Sequence, residues 1–289
     1  MTWFDSHLHF FALQQGDYDW LKPDNPPFWP DKPRIACNTT ERHLMTQSQG
    51  KVDGFVHIEA GYNNRLPWRE IEYLDRHCSL PFKAVACIDL TDPQACSTVD
   101  NLLRWRSVTG LRHILDDEAT TLLTTPRVKH CLAHISHRQL SFDAQLDLTD
   151  SKAVTALLNV ISALPQLKVM INHTGASFLA ARSAKKKHLW LRHIQLLSEC
   201  PGVAMKMSGW EMASRDWRWQ EVARVCDALF ERVPYHQLMF ASNFPLCGWR
   251  LPYLALWQGY EKLVAQLPKK VQRGLLHENA TQWYRLNGK

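Results

Sequence analysis

The chain has 289 residues, 45% of them hydrophobic and 21% charged, with a formal net charge of +6. That apolar content supports a sizeable core, yet no apolar run approaches the roughly 20 residues that span a bilayer and no basic segment leads into an apolar stretch at the start, so neither a membrane-spanning nor an exported protein is expected. The positive charge is spread along the chain apart from Lys185, Lys186 and Lys187, which read as a solvated loop or helix start, and the eight cysteines lack C-x-x-C spacing; the expectation is a cytoplasmic protein with reduced thiols and no nucleic-acid partner.

Taken in chain order, eight short apolar runs ending in polar residues read as strands: 2–9, 52–59, 82–90, 108–114, 140–146, 167–173, 203–208 and 238–243. The texture of "FKAVACI" and "LKVMI" fits strands buried on both faces. Between them, 67–78, 93–106, 126–137, 151–164, 189–200 and 217–232 have helical spacing. This alternation predicts a parallel sheet, and eight units predict closure into a single (β/α)8 TIM-like barrel over 1–289, with a doubly wound open sheet as the alternative. No Gly-rich phosphate fingerprint follows any strand, which argues against a dinucleotide site. Residues 10–40, rich in Pro and aromatics, predict a long first loop that either crosses the barrel mouth or wraps its surface. The stretch 253–286 predicts two closing helices.

In a barrel of this kind functional groups sit at the C-terminal ends of the strands. Those ends carry His7 and His9, Glu59, Arg112 and His113, Gln145, His173, Lys206 and Ser208, and Asn243. Residues two apart on a strand share a face, so His7 and His9 converge on one point, as a divalent-metal or oxyanion site requires. Each histidine alone is as readily a packed core residue; His173 on the same rim favours a shared role.

The motifs "FDSHLHFF", "DYDWL", "GLRHIL", "INHTG", "MKMSG" and "LMFASNFP", in that order, resemble the amidohydrolase-2 group, particularly its fuconolactonase and 2-pyrone-4,6-dicarboxylate lactonase branch. The resemblance runs from about Asp5 to the final "ENATQWYRL". It implies a distorted (β/α)8 barrel and hydrolysis of a small lactone or related cyclic ester, with His7, His9 and His173 polarising the carbonyl. They would do so either through one divalent metal, zinc or manganese, or without a metal.

The departure lies at the last strand, where the "GSDWP" usual in that group reads "ASNFP". Asn243 can offer a carbonyl oxygen but cannot act as a base. Glu59 is the first candidate for a displaced general base and His113 the second; pairing of Glu59 with a rim arginine, Arg65 or Arg112, is the competing reading. Arg112 and Gln145 suit the oxygens of an anionic or sugar-derived substrate, although Arg112 also suits a structural salt bridge. Trp20 and Tyr18 would either stack on a sugar face or plug the barrel top. A catalytically degenerate barrel that binds a small acid or a partner is the alternative function, with the chain alone or as a homo-oligomer.

Overall fold

Runs buried on both faces become the eight strands of the computed structural model, which describes residues 1–286. They are β1 Trp3–Leu8, β2 Val52–Ile58, β3 Phe82–Cys87, β4 Val108–Ile114, β5 Ser141–Gln145, β6 Lys168–Ile171, β7 Val203–Met207 and β8 Leu238–Phe240. Every neighbouring pair is parallel and the strand order follows the chain, β1 to β8. The expected (β/α)8 barrel is the fold observed, and the open doubly wound sheet is not. Among the described residues no helix is long and apolar enough to cross a membrane.

The helices follow from the apolar spacing. Pro126–His137 opens on a proline, whose missing N–H costs nothing at a first turn, and buries Val128, Cys131, Leu132 and Ile135 along one face. The helix expected over 189–200 starts earlier, at Ala184, because the Ser183 hydroxyl accepts from the Lys186 N–H and caps it, so the lysine run forms an exposed first turn. The tail holds Tyr253–Leu263 and then Lys269–Arg273, which continues through a π turn at Gly274–Glu278 into Asn279–Trp283. Its Ala280 and Tyr284 seal the barrel floor against Phe4, Val56, Val85, Met170, Ala204 and Met239.

Residues 10–40 form two 3-10 turns, Asp19–Leu21 and Lys32–Arg34, held by an apolar cluster of their own. Phe11, Tyr18, Leu21 and Ile35 pack with Ala60, Tyr62, Leu246 and Trp249. Tyr18 is buried in that cluster, and its hydroxyl accepts from the Ala12 N–H at 2.9 Å. It therefore plugs the loop and does not face a ligand; its phenol is the core of the cluster.

The barrel closes between β8 and β1, and there the pairing is made largely by one buried carboxylate. Asp5 accepts from the Ser242 N–H at 3.0 Å, the Ser242 hydroxyl at 2.5 Å, the Tyr253 hydroxyl at 3.0 Å and the His7 N–H at 3.2 Å. Backbone bonds from Asn243 to the His7 carbonyl (2.9 Å) and from His9 to the Phe244 carbonyl (2.7 Å) continue the seam. This is why β8 is shorter than the run 238–243 suggests: past Phe240 its backbone turns to meet Asp5 and His7. Burial raises the Asp5 carboxyl to about 6, against the pull of its four hydrogen bonds. Asp5→Ala strands those buried donors and is expected to lower the unfolding free energy by about 3 kcal/mol, read from a urea titration.

Candidate functional site

Inward positions climb each strand in steps of two, so the apolar floor gives way to a polar layer above it. Val85 is followed by Cys87, Gly110 by Arg112, Met170 by Asn172, Ala204 by Lys206 and then Ser208, and Met239 by Ala241. The left-handed backbone of His173 (φ 51°) and Asn243 (φ 58°) turns these two residues out of the strand pattern. Gly209, itself at φ 71°, leaves room for the His173 ring, since a Cβ there would lie 2.5 Å from it.

Above this layer opens a cavity of about 1250 Å³. His9, Trp20, Glu59, Arg112, His113, Gln145, His173 and Asn243 all line it. His7 lies beneath, fully buried, its ring centroid 5.0 Å from that of His9 and 4.5 Å from that of His173. The structure thus brings the sequence-derived residues to one place, while their engagements differ. Arg112 is committed: Nε donates to Glu59 Oε1 at 2.8 Å, Nη2 to the Glu59 carbonyl at 2.9 Å and Nη1 to Gln145 Oε1 at 3.4 Å. Of the two partners weighed for Glu59, Arg112 is the one it takes, and the guanidinium fork expected to grip a substrate carboxylate is occupied. His113 is held at the rim, its Nδ1 between the Leu90 N–H and the Ile88 carbonyl. Trp20 lines the wall while its Nε1 caps the Ala60 carbonyl at 2.7 Å.

The histidine cluster rests on a buried ion pair that sequence reading missed. Lys206 Nζ lies 2.6 Å from Asp143 Oδ2, both side chains 0% exposed, and the Tyr284 hydroxyl donates to the same carboxylate at 3.0 Å. Asp143 sits mid-strand inside an apolar run, two residues before Gln145, and only the inward periodicity could have signalled it. Lys206 Nζ also lies 3.3 Å from His7 Nδ1. An ammonium only donates, so His7 Nδ1 accepts and its proton sits on Nε2, which faces His9 Nε2 at 3.3 Å. His9 in turn donates from Nδ1 to the Ile58 carbonyl at 2.8 Å. Burial, with the Lys206 charge next in size, drives His7 well below the ordinary histidine value; burial, with the Arg112 charge next, does the same to His9 and brings His173 down to about 3. All three are neutral imidazoles at pH 7. Burial likewise brings Lys206 down to about 8, with Asp143 pulling the other way.

The polarity of these bonds tests whether a divalent ion fits. The 3.3 Å between the two Nε2 atoms matches the edge of a tetrahedron of ligands, about 3.3 Å for metal–nitrogen bonds near 2.0–2.1 Å. His9 also has the backbone-bonded Nδ1–H of a typical ligand. His7 has the opposite arrangement, with an ammonium at Nδ1 and the proton on the nitrogen that would have to bind. Among the described residues no group of three or more His, Cys, Asp and Glu is arranged to hold a metal ion. With the Lys206 ammonium on Nδ1, His7 turns an N–H and not a lone pair toward His9, so a resident ion would require Lys206, already brought down to about 8, to give up its proton first.

Two further groups escaped sequence reading. Glu211, buried two residues after Gly209, accepts from Asn243 Nδ2 at 2.6 Å. Asn172 is buried beside the cavity with neither amide atom paired among the described residues. Asn172 lies within the "INHTG" motif, where attention falls on His173, and Glu211 lies two residues past "MKMSG".

Lys206→Met leaves Asp143 buried without its counter-charge and is expected to lower the unfolding free energy by about 3–5 kcal/mol in urea; replacing both partners, Lys206→Met with Asp143→Leu, should recover most of it. For His173 the folded value lies below the unfolded one, so its contribution is complete above about pH 6.5 and is lost as pH falls from there toward 3. His173→Gln should therefore make the fall of stability below pH 6.5 shallower, by up to about 1.4 kcal/mol per pH unit.

The amidohydrolase family pattern matches residues 4–286. Over 98% of each chain the sequence is 25% identical to the uncharacterized protein y4mH of Sinorhizobium fredii (strain NBRC 101917 / NGR234). In fold it is similar to an amidohydrolase from Burkholderia multivorans with bound zinc, 18% identical over 99% of each chain with a TM-score of 0.83. It is also similar to a probable 2-pyrone-4,6-dicarboxylic acid hydrolase from Acinetobacter baumannii with citric acid bound, 17% identical over 99% of this chain and 100% of that one, with a TM-score of 0.73. With a matching pattern across nearly its whole length, the chain belongs to the amidohydrolase family, a family of hydrolases.

Proposed function

We propose that the protein hydrolyses a small lactone or related cyclic ester, and that the ring is neutral and hydroxylated, of the sugar-acid type. The observation that carries this reading is the make-up of the cavity. Its floor has neutral imidazoles and a carboxamide, and its wall bears Glu59, Asp89, Asp92, Asp116 and Asp147 against Arg65, Arg112 and Lys186. With Arg112 already engaged by Glu59 and Gln145, carboxylates outnumber the free cations, and carboxylates accept from hydroxyls while repelling a dicarboxylate. The expectation of an anionic substrate gives way here to the sugar-derived one.

In this reading Glu59 is the general base. Arg112 holds its Oε1, and Oε2 makes no hydrogen bond among the described residues, which leaves it facing the cavity as an acceptor for a water proton. The water oxygen attacks the lactone carbonyl carbon as its proton passes to Glu59 Oε2, the ring C–O bond breaks, and the departing alkoxide takes up the proton that Glu59 received. A neutral His173, with the Ser208 hydroxyl 3.0 Å from Nδ1, would donate from Nε2 to the carbonyl oxygen as charge develops there. No step is assigned to a metal. Zinc in the Burkholderia relative makes added metal the necessary control.

A pH-stat screen of aldono-1,4- and 1,5-lactones and of 2-pyrone-4,6-dicarboxylate, each with chelator and with added zinc or manganese, tests the reading. Turnover of an aldonolactone that persists in chelator is expected, with Glu59→Gln lowering the rate roughly 10²–10⁴-fold and His113→Ala leaving it within about threefold. If His113→Ala abolishes the rate and Glu59→Gln does not, the base is His113. A second reading, a barrel that binds without turnover, is favoured by Asn243 alone; saturable lactone binding with no hydrolysis under any metal condition would select it.

A further inference from the structure

A carboxamide has a donor end and an acceptor end of the same shape, and which end faces a ligand decides what the ligand must offer. At Asn243 one end is fixed. Nδ2 lies 2.6 Å from Glu211 Oε1, while Oδ1 is buried and has no hydrogen-bond partner among the described residues. Asn243 lines the cavity, as do His9 and His173, whereas Glu211 stands behind it at 1% exposure. A buried acceptor left unpaired costs stability unless something in the cavity donates to it.

Glu211 is placed to hold this arrangement. It sits in the short helix Trp210–Ala213 that begins at Gly209, directly after β7. Around it are the Arg215 guanidinium, which bonds the Glu211 carbonyl, the Cys247 thiol and Tyr260 hydroxyl, whose values its charge raises, and the Asn243 amide. An ionised carboxylate only accepts, so it takes the NH2 end. A protonated one could donate, and the amide would then reverse, turning its NH2 to the cavity.

We infer that Glu211 is a positioning residue of this site: it grips the NH2 end of the Asn243 carboxamide and so leaves Oδ1, which no protein group pairs among the described residues, as the buried acceptor that a ligand hydroxyl or a water must reach. The inference rests on the same cavity being the ligand site, and it restores to the last-strand position a carboxylate-backed acceptor where a carboxylate itself is missing. Burial pushes the Glu211 carboxyl up to about 7, which puts the grip under the control of pH in the physiological range.

The decisive test needs no substrate. The Asn243 side-chain amide is assigned in nitrogen-15 correlation spectra by its loss in Asn243→Ala, and its hydrogen exchange and shift are followed from pH 5.5 to 8.5 in the native protein, Glu211→Gln and Glu211→Leu. In the native protein the amide should be protected at high pH and its shift should titrate near 7. Glu211→Gln, whose carbonyl still accepts, should keep the protection and lose the titration, and Glu211→Leu should speed exchange at least tenfold. Exchange in Glu211→Leu within twofold of the native protein, or a titration that survives in Glu211→Gln, overturns the inference. In parallel, kcat and KM for galactono-1,4-lactone are measured on the same proteins. A fall in kcat/KM of about tenfold in Glu211→Leu, partly rescued in Glu211→Gln, supports it. Should no lactone be hydrolysed by the native protein, the proposed reaction fails, while the exchange experiment still decides the role of Glu211.

Discussion

The buried pair of Lys206 and Asp143 sets the direction of everything built above it. An ammonium and a carboxylate 2.6 Å apart with no solvent access are expensive to bury, and their attraction offsets that cost only when the remaining hydrogen-bonding positions are filled. Tyr284 fills one on the carboxylate and His7 one on the ammonium. Because the ammonium can only donate, the proton of His7 is driven to its far nitrogen, the lone pair of His9 is turned inward, and His9 gives its own proton to the Ile58 carbonyl. A chain of four groups is thereby polarised in one sense, from the Lys206 charge on β7 through His7 and His9 to the Ile58 carbonyl on β2. The tail of the chain takes part, since Tyr284 comes from the segment that seals the barrel floor.

The long first loop is fixed across the mouth by a comparable device on a smaller scale. Arg215 stacks on Trp249, 3.7 Å from the ring centroid, faces Trp29 at 5.5 Å, and bonds Asp31 at 2.6 Å. Trp249 donates to the Asp31 carbonyl. A guanidinium held between two indoles and a carboxylate joins the loop after β1 to those after β7 and β8, which is how a segment with little secondary structure keeps one wall of the cavity in place.

How much of this was legible depends on whether a residue's role is set by its own strand or by a neighbour. The eight strands were legible because burial on both faces leaves a continuous apolar run, and the rim residues because a barrel puts its polar side chains at strand ends. Helix starts were less so: the cap at Ser183 moved one helix forward past a lysine run that had no apolar spacing to show it. Asp143 was hidden by lying within an apolar strand, and Glu211 by lying in a four-residue helix whose only cue is the preceding "MKMSG". Tyr18 stays open between two readings in the sequence because a loop aromatic reads the same whether it faces a ligand or packs beneath the loop, and its burial selects the second. The pairing of Glu59 with a rim arginine is legible as one of two readings, and the choice of Arg112 over Arg65 follows only once β2 and β4 stand at the same rim.

The amide at Asn243 follows from the same electrostatic reasoning that makes it look anomalous in sequence. With Glu211 in place 2.6 Å away, an aspartate at 243 would set two carboxylates side by side in a buried site, and such a pair cannot both be ionised; one keeps its proton to high pH. The charges at hand do not relieve this. Lys206 is committed to Asp143, Arg112 to Glu59, and Arg215 to Asp31, while the three histidines are held neutral. Replacing one carboxylate by an amide removes the repulsion, keeps an oxygen of the same size in the same place, and supplies the donor that Glu211 needs. The residue that is missing at the last strand and the residue that sequence reading overlooked are therefore two halves of one arrangement: given a buried Glu211 without a cation of its own, the neutral side chain at 243 is the one the site can accommodate.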